Sequence, residues 1–306
     1  MKRSLSSYLV NGVIRLTTKR RPRSAYAVAD IRRRFGKVDS ALVRPPADMI
    51  VENVDLDGLA AEWVSVAGAS EQNIVYYLHG GGFVMRAPNT HKTLLTRLSR
   101  RLGCKSLMPD YRLAPEHPFP AAPEDCLAGY RWLLDNGATP KQIVIAGDSA
   151  GGCLTLATLH LAKQAGLPMP ACAVLISPCT DLTMSSSTAL VNERSDPMFT
   201  LNLLLTMRNA YVRERDIVDP AASPLFADFS GFPPLQILVG SSEILLSDAE
   251  RTAERARLAG VETELEIWDG MPHVFPAITL LAESGRALDT IADFVHRHAG
   301  WQVLPR

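Results

Sequence analysis

A serine framed by glycines, Gly147-Asp148-Ser149-Ala150-Gly151-Gly152, constrains this chain more than any other feature, because of what flanks it. Upstream, Ile143, Val144, Ile145 and Ala146 form the short apolar run of a buried strand, and downstream a small-residue helical pattern begins. A strand that passes into a helix this abruptly needs a very tight turn. The residues two before and two after the serine then meet with room only for hydrogen, hence Gly147 and Gly151. The same turn thrusts the Ser149 hydroxyl outward, where a carbonyl carbon could reach it. Earlier in the chain a second apolar run, Ile74 to Leu78, ends in His79-Gly80-Gly81-Gly82-Phe83. That backbone is bare enough to aim peptide N–H groups at a developing oxyanion. Either segment alone could be a glycine-rich turn or an anion nest. Both together, in this order and each after a buried strand, point to nucleophilic acyl transfer.

The rest of the chain alternates strand and helix patterns, the signature of a mostly parallel sheet covered on both faces. Strands are predicted near 62–67, 73–79, 105–109, 143–148, 171–177, 234–240 and 262–268, the first ones forming an antiparallel start. Helices are predicted near 90–102, 121–136, 150–165, 248–259 and 279–298. Two regions break the alternation. Residues 1 to about 50 are one; the other is about 180–228, where Asp196-Pro197 interrupts the chain before an apolar helix around Leu201 to Tyr211. With 306 residues, 47% hydrophobic and 21% charged, the composition fits one compact unit. We therefore expect a single catalytic domain over 1–306 with a cap in two pieces, approximately 1–50 and 180–228.

The landmarks resemble those of the hormone-sensitive-lipase-like branch of the α/β-hydrolase family and its bacterial carboxylesterases. Besides HGGGF and GDSAGG, the chain carries Asp110-Tyr111-Arg112-Leu113-Ala114-Pro115-Glu116 with Pro118-Phe119-Pro120-Ala121-Ala122, and Gly270-Met271-Pro272-His273-Val274-Phe275. The resemblance runs over nearly the whole chain. It implies an α/β-hydrolase fold with a helical cap, and hydrolysis of carboxylic esters with short to medium acyl chains.

A serine needs a base, and His273, in a loop after the last predicted strand, is the best-placed histidine. His296 and His298, in a terminal helix, are expected to be solvated. His160 is on the helix after the serine, His91 and His117 have no evident setting, and His79 is expected to organise the glycine loop. For the orienting carboxylate, Glu243 and Asp248 both follow one strand. Glu243 is the choice, because Ser247-Asp248-Ala249-Glu250 has the form of a capping box and gives Asp248 a helix-start role. The family usually has an aspartate followed by Pro-Leu here, so Glu243-Ile244-Leu245 departs from its pattern. Asp148 is read as a structural hydrogen-bonding residue. The expected oxyanion donors are the amides of Gly81, Gly82 and Ala150. An amidase, lactonase or carbamate hydrolase would use the same triad, and a non-catalytic small-molecule receptor on this fold is the alternative from another class.

No cofactor is expected, and scattered histidines without ligand spacing argue against a metal. Five cysteines without a C-x-x-C pair argue against a disulfide framework, leaving small core residues, with Cys153 one turn beyond Ser149 packing beneath the turn. No apolar run spans a membrane, no nucleic-acid partner is expected, and a homo-oligomer is left open. Net charge is zero but uneven: residues 1–44 carry twelve Lys or Arg against Asp30 and Asp39, a local +10. With Leu5, Tyr8, Leu9, Val13 and Leu16, this segment reads as a cap helix with a solvated basic face, or else as an amphipathic helix drawn to an anionic membrane. Asn11 and Arg15 interrupt the apolar stretch, which disfavours a secretory signal, so a cytoplasmic protein is expected.

Overall fold

The computed structural model describes residues 3–19 and 27–301. Its centre is an eight-stranded sheet: β1 (Ile50–Asp55), β2 (Ala60–Ser65), β3 (Ser70–Leu78), β4 (Cys104–Pro109), β5 (Ile143–Asp148), β6 (Cys172–Ile176), β7 (Leu235–Gly240) and β8 (Thr263–Trp268), in the order β1-β2-β4-β3-β5-β6-β7-β8. β2 is antiparallel to both its neighbours, and every pair from β4 to β8 is parallel. From β3 the chain crosses outward to β4, then returns to place β5 on the other flank of β3. The crevice beyond the carboxyl ends of β3 and β5 is therefore a topological switch point, where open α/β sheets bind ligands. The glycine loop follows β3 and Ser149 follows β5, so topology alone brings the two motifs together.

Strand residues alternate between two apolar layers. Ile74, Tyr76, Leu78, Ile143 and Ile145 face α4 (Ala121–Asp135), α5 (Ala150–Gln164) and α8 (Leu246–Leu258). Val75, Tyr77, Val144 and Val174 face α3 (Pro88–Leu102) and α9 (Ala282–Ala299). All five cysteines are free and buried. Cys153 is buried one helical turn along α5 from Ser149, and its thiol donates to the Ala222 carbonyl at 3.3 Å.

Helices α1 (Leu5–Thr18) and α2 (Val28–Leu42) precede the sheet, and α6 (Thr188–Val191) and α7 (Leu201–Tyr211) lie between β6 and β7. α2 is fastened at two points. The Arg32 guanidinium donates to the carbonyls of Val84 (2.6 Å) and Ala114 (2.8 Å) and grips Glu116 with both terminal nitrogens at 2.6 Å. Asp39, buried, caps α3 from outside by accepting from the amides of Asn89 (3.0 Å) and Thr90 (2.8 Å).

Four expectations are corrected. β1 was not foreseen: its side chains are exposed or half-buried along the strand, so no apolar run marks it, and it begins where the first irregular region was taken to end. α1 does not present a solvated basic face; Leu5, Leu9, Val13 and Leu16 point to solvent, while Ser4, Asn11 and Arg15 bond to the body. His296 and His298 are half-buried, the former bonded through Nδ1 to the Trp301 carbonyl at 2.7 Å and the latter 3.7 Å from Glu262, because the terminal helix packs with α3 over one face of the sheet. His91 is buried and faces Asp148, Nε2 to Oδ1 at 3.4 Å. Residues 1–2 and 20–26 of the first irregular region, including Arg20, Arg21 and Arg23, lie outside the described residues.

Candidate active site

Ser149 is the last residue before α5 and holds φ 54°, ψ −118°, a conformation costly for any residue with a side chain. The strain is held in place from both sides. The Ser149 amide donates to Ile176 at 2.8 Å, and its carbonyl accepts from Cys179 at 3.2 Å. The glycine requirement read from sequence is borne out at atomic detail. A Cβ on Gly147 would stand 2.3 Å from the Gly151 carbonyl oxygen, and one on Gly151 would stand 1.8 Å from that of Leu78.

Asp148 ties this turn to the glycine loop. Its Oδ1 accepts from the Tyr77 hydroxyl at 2.7 Å and the Gly80 amide at 2.9 Å. Burial works against its charge, but His91, Tyr77 and the Gly80 amide outweigh it and hold the carboxyl at about 2. Gly80 is engaged, whereas the amides of Gly81 and Gly82 have no protein acceptor among the described residues. Both have positive φ, 126° and 62°. The Ala150 amide, at the first position of α5, has no intrahelical partner either. His79 organises the loop as expected: Nδ1 donates to the Gly80 carbonyl at 2.8 Å, its ring stacks on Tyr111 at 4.2 Å, and burial lowers its pKa to about 3, so it is neutral.

His273 and Glu243 are brought together. His273 Nδ1 lies 2.7 Å from Glu243 Oε2, while Glu243 Oε1 accepts from the Ser177 hydroxyl (2.8 Å) and the Gly240 amide (2.6 Å). The carboxylate is fully buried, so these three donors stand in for water. Burial disfavours a charged His273, but the hydrogen bond to Glu243 and the charges of Glu243, Asp196 and Asp148 outweigh it, raising its pKa above the ordinary 6.5. Nε2, the other ring nitrogen, is buried and has no partner among the described residues. Ser149 belongs to the same constellation through β6: its amide bonds Ile176, and the next residue, Ser177, bonds Glu243 and accepts from the Val274 amide at 3.1 Å.

Asp248 is not a helix cap. α8 begins at Leu246 with Leu245 at its N-cap position and no side-chain cap, because the chain is already helical before Ser247. Asp248 is instead buried, its Oδ2 accepting from the amides of Thr180 (2.9 Å) and Asp181 (3.1 Å), and burial raises its pKa to about 7.

Several residues at the site carried no sequence signal. Ser177 bridges Glu243 to the histidine loop. Asp196 accepts from the amides of Met198, Phe199 and Ile244, fastening the residue next to Glu243. Phe199 meets the His273 ring edge-on at 4.7 Å. Met207 of α7 lies on the glycine loop, where a Cβ on Gly82 would come 2.4 Å from its sulfur, and Tyr211 stacks on Phe83 at 3.8 Å. The pocket that opens on Ser149, Gly82 and Ala150 is walled by Leu182, Leu204 and Met207, with Arg208 beside them. The sequence marks Asp196-Pro197 only as a break in the chain, and Leu204, Met207 and Tyr211 only as members of an apolar helix.

A glycine loop with free amides, a strained serine on a strand-to-helix turn and a buried carboxylate–imidazole pair thus share one sheet edge. A family profile described as the alpha/beta hydrolase fold matches residues 75–277. The chain belongs to the α/β-hydrolase family. An esterase of Acinetobacter venetianus is 37% identical over 247 residues, covering 80% of this chain and 81% of that one. An acetyl-hydrolase of Streptomyces hygroscopicus is 36% identical over 257 residues, 84% of each. A solved esterase from the bacterial hormone-sensitive lipase family superposes with a TM-score of 0.92 at 38% identity, over 98% of this chain and 100% of that one. Within the α/β hydrolases the chain is a hormone-sensitive-lipase-like carboxylesterase, a serine hydrolase. No described helix is long and apolar enough to cross a membrane.

Proposed function

We propose that this α/β hydrolase cleaves carboxylic esters of short to medium acyl chains through a Ser149-His273-Glu243 triad and an acyl-enzyme. His273 Nε2 takes the proton of Ser149 as the hydroxyl attacks the ester carbonyl, and Glu243 holds the Nδ1–H tautomer and offsets the imidazolium charge. The tetrahedral oxygen is received by the amides of Gly81, Gly82 and Ala150. His273 returns the proton to the leaving alcohol, and water repeats the cycle through the same groups. The observation that carries the reading is the 2.7 Å contact between His273 and fully buried Glu243, with Nε2 left unpartnered. A histidine held this way has one nitrogen fixed as donor and the other free to accept.

The segments 1–50 and 180–228 act in this reading as a cap that limits the acyl chain. Support comes from α7: Leu204 and Met207 wall the pocket directly above the glycine loop. The acetyl-hydrolase among the relatives is named for a two-carbon acyl group. A series of p-nitrophenyl esters of graded acyl length, with an anilide control, tests it. Turnover is expected to peak at short chains and fall for long ones, without activation at an oil interface. An anilide cleaved faster than the matching ester would favour the amidase reading, and a long-chain optimum would remove the restrictive cap.

A further inference from the structure

Helix α1 wears its amphipathicity inside out. A helix on a globular body normally turns its apolar stripe to the core and its polar side to water. Here the body-facing side is fastened by polar groups: Ser4 donates through its amide and hydroxyl to Glu283, each at 2.9 Å, Asn11 donates to the Gly270 carbonyl at 2.9 Å, and Arg15 donates to the carbonyls of Arg194 and Ser195 at 3.0 Å. Val10 adds a partial apolar contact with the core layer of α3 and α9. The outward side is a row of large apolar residues at helical spacing: Leu5 is 85% exposed, Tyr8 58%, Leu9 74%, Val13 55% and Leu16 70%. No described element of the fold covers that row, and the polar anchors on the opposite side keep the helix from rolling it inward.

We propose that this face of α1 is a docking surface for an anionic lipid membrane. The chain's charge supplies the second half of the argument. Residues 1–44 carry twelve Lys or Arg against two Asp, so the apolar row lies in a segment of charge +10 while the remainder of the chain carries −10. Among the described residues, Arg15, Arg34 and Lys37 pair with no carboxylate, so part of that charge is uncompensated within the fold. An exposed apolar helical face with basic residues around it binds in the interfacial plane of anionic bilayers, apolar burial and charge attraction acting together. A second copy of this chain is a poorer occupant: packing α1 on α1 across a two-fold axis would bring two +10 segments together. The binding is peripheral, since α1 is one short interfacial helix and no described helix can span a bilayer. It would set the histidine loop, to which Asn11 is bonded, close to the lipid surface where amphiphilic esters partition.

The test uses the full chain and sedimentation with vesicles of phosphatidylcholine, with or without about one third phosphatidylglycerol. The wild type is expected to sediment with the anionic vesicles, weakly with the neutral ones, and to be released by high salt. Leu9→Glu combined with Leu16→Glu should lower anionic-vesicle binding at least about tenfold. Turnover of a water-soluble ester should stay unchanged, which also shows that the variant is folded. Leu258→Glu, at an equally exposed leucine on α8, should leave binding intact. The proposal is overturned if the wild type does not distinguish anionic from neutral vesicles, if the double variant binds as well as the wild type, or if Leu258→Glu is equally damaging. A concentration-dependent dimer that the double variant abolishes, without lipid binding, would give the face to a second copy instead.

Discussion

Replacing Glu243 by glutamine removes one charge from the pair with His273 while keeping side-chain volume. The structure lets the consequence be worked through atom by atom. Oε1 now accepts from the Ser177 hydroxyl and the Gly240 amide, and Oε2 faces His273 Nδ1 at 2.7 Å. An amide has one accepting oxygen and one donating nitrogen. If its oxygen stays with the Gly240 and Ser177 donors, its NH2 faces Nδ1, which must then be unprotonated. The imidazole proton moves to Nε2, and that nitrogen can no longer take a proton from Ser149. Turning the amide over instead leaves the Gly240 N–H opposed to an NH2 at a fully buried position. Loss of the correct tautomer by the equivalent acid-to-amide change in a serine protease lowers kcat about 10⁴-fold, or about 5.5 kcal/mol of transition-state stabilisation. We expect a fall of three to four orders of magnitude (~10³–10⁴) in kcat for p-nitrophenyl acetate, with KM little changed and thermal unfolding still cooperative. A Glu243→Gln protein within about tenfold of wild-type turnover would show that the carboxylate does not set the tautomer.

The pH dependence carries a direction. With neutral His273 as the proposed base and its pKa raised above 6.5, kcat/KM for a soluble ester should fall on acidification through an apparent pKa above 6.5; a limb well below that value would contradict the account. Asp248→Asn should retain turnover, because its contacts go to the Thr180 and Asp181 amides, which an asparagine oxygen can still accept; abolished turnover would reassign the triad acid. The same substitution has a stability signature. A folded-state pKa raised to about 7 means the native state binds a proton that the unfolded chain has released, so this group's contribution falls as pH rises from about 4 to about 7. Calorimetry at pH 5 and pH 8 should show the variant gaining relative to wild type at the higher pH, and an unchanged difference would refute it.

Some of this was legible in the sequence for a plain reason. Gly147, Gly151 and the triple glycine are demanded by contacts within a strand, its turn and the adjacent strand, and the apolar runs that place them are equally local. α7 was foreseen at its observed bounds because its residues repeat as a helix. Pairings made across the fold left no such trace. Ser177 meets Glu243 across 66 positions and Asp196 meets the Ile244 amide across 48, and neither has a neighbouring pattern that demands it. β1 escaped notice because an edge strand buried on neither face needs no alternation. The capping-box reading of Ser247 to Glu250 failed because a helix start is fixed by where the backbone turns helical, and here tertiary bonds of Thr188 to Ile244 and Ser247 set that point earlier. The direction in which α1 faces could not be read from its periodicity, which fixes a stripe but not what the stripe meets.

Covalent labelling of Ser149 tests the central claim most directly. An alkyl phosphonate that carries a leaving group should add one phosphonyl mass to the intact protein, and peptide mapping should place it on the peptide bearing Ser149. Ser149→Ala should take up no label and lose on the order of a millionfold in turnover, as removal of the nucleophile does in subtilisin. Label found on another residue, or an active Ser149→Ala protein, would contradict the account.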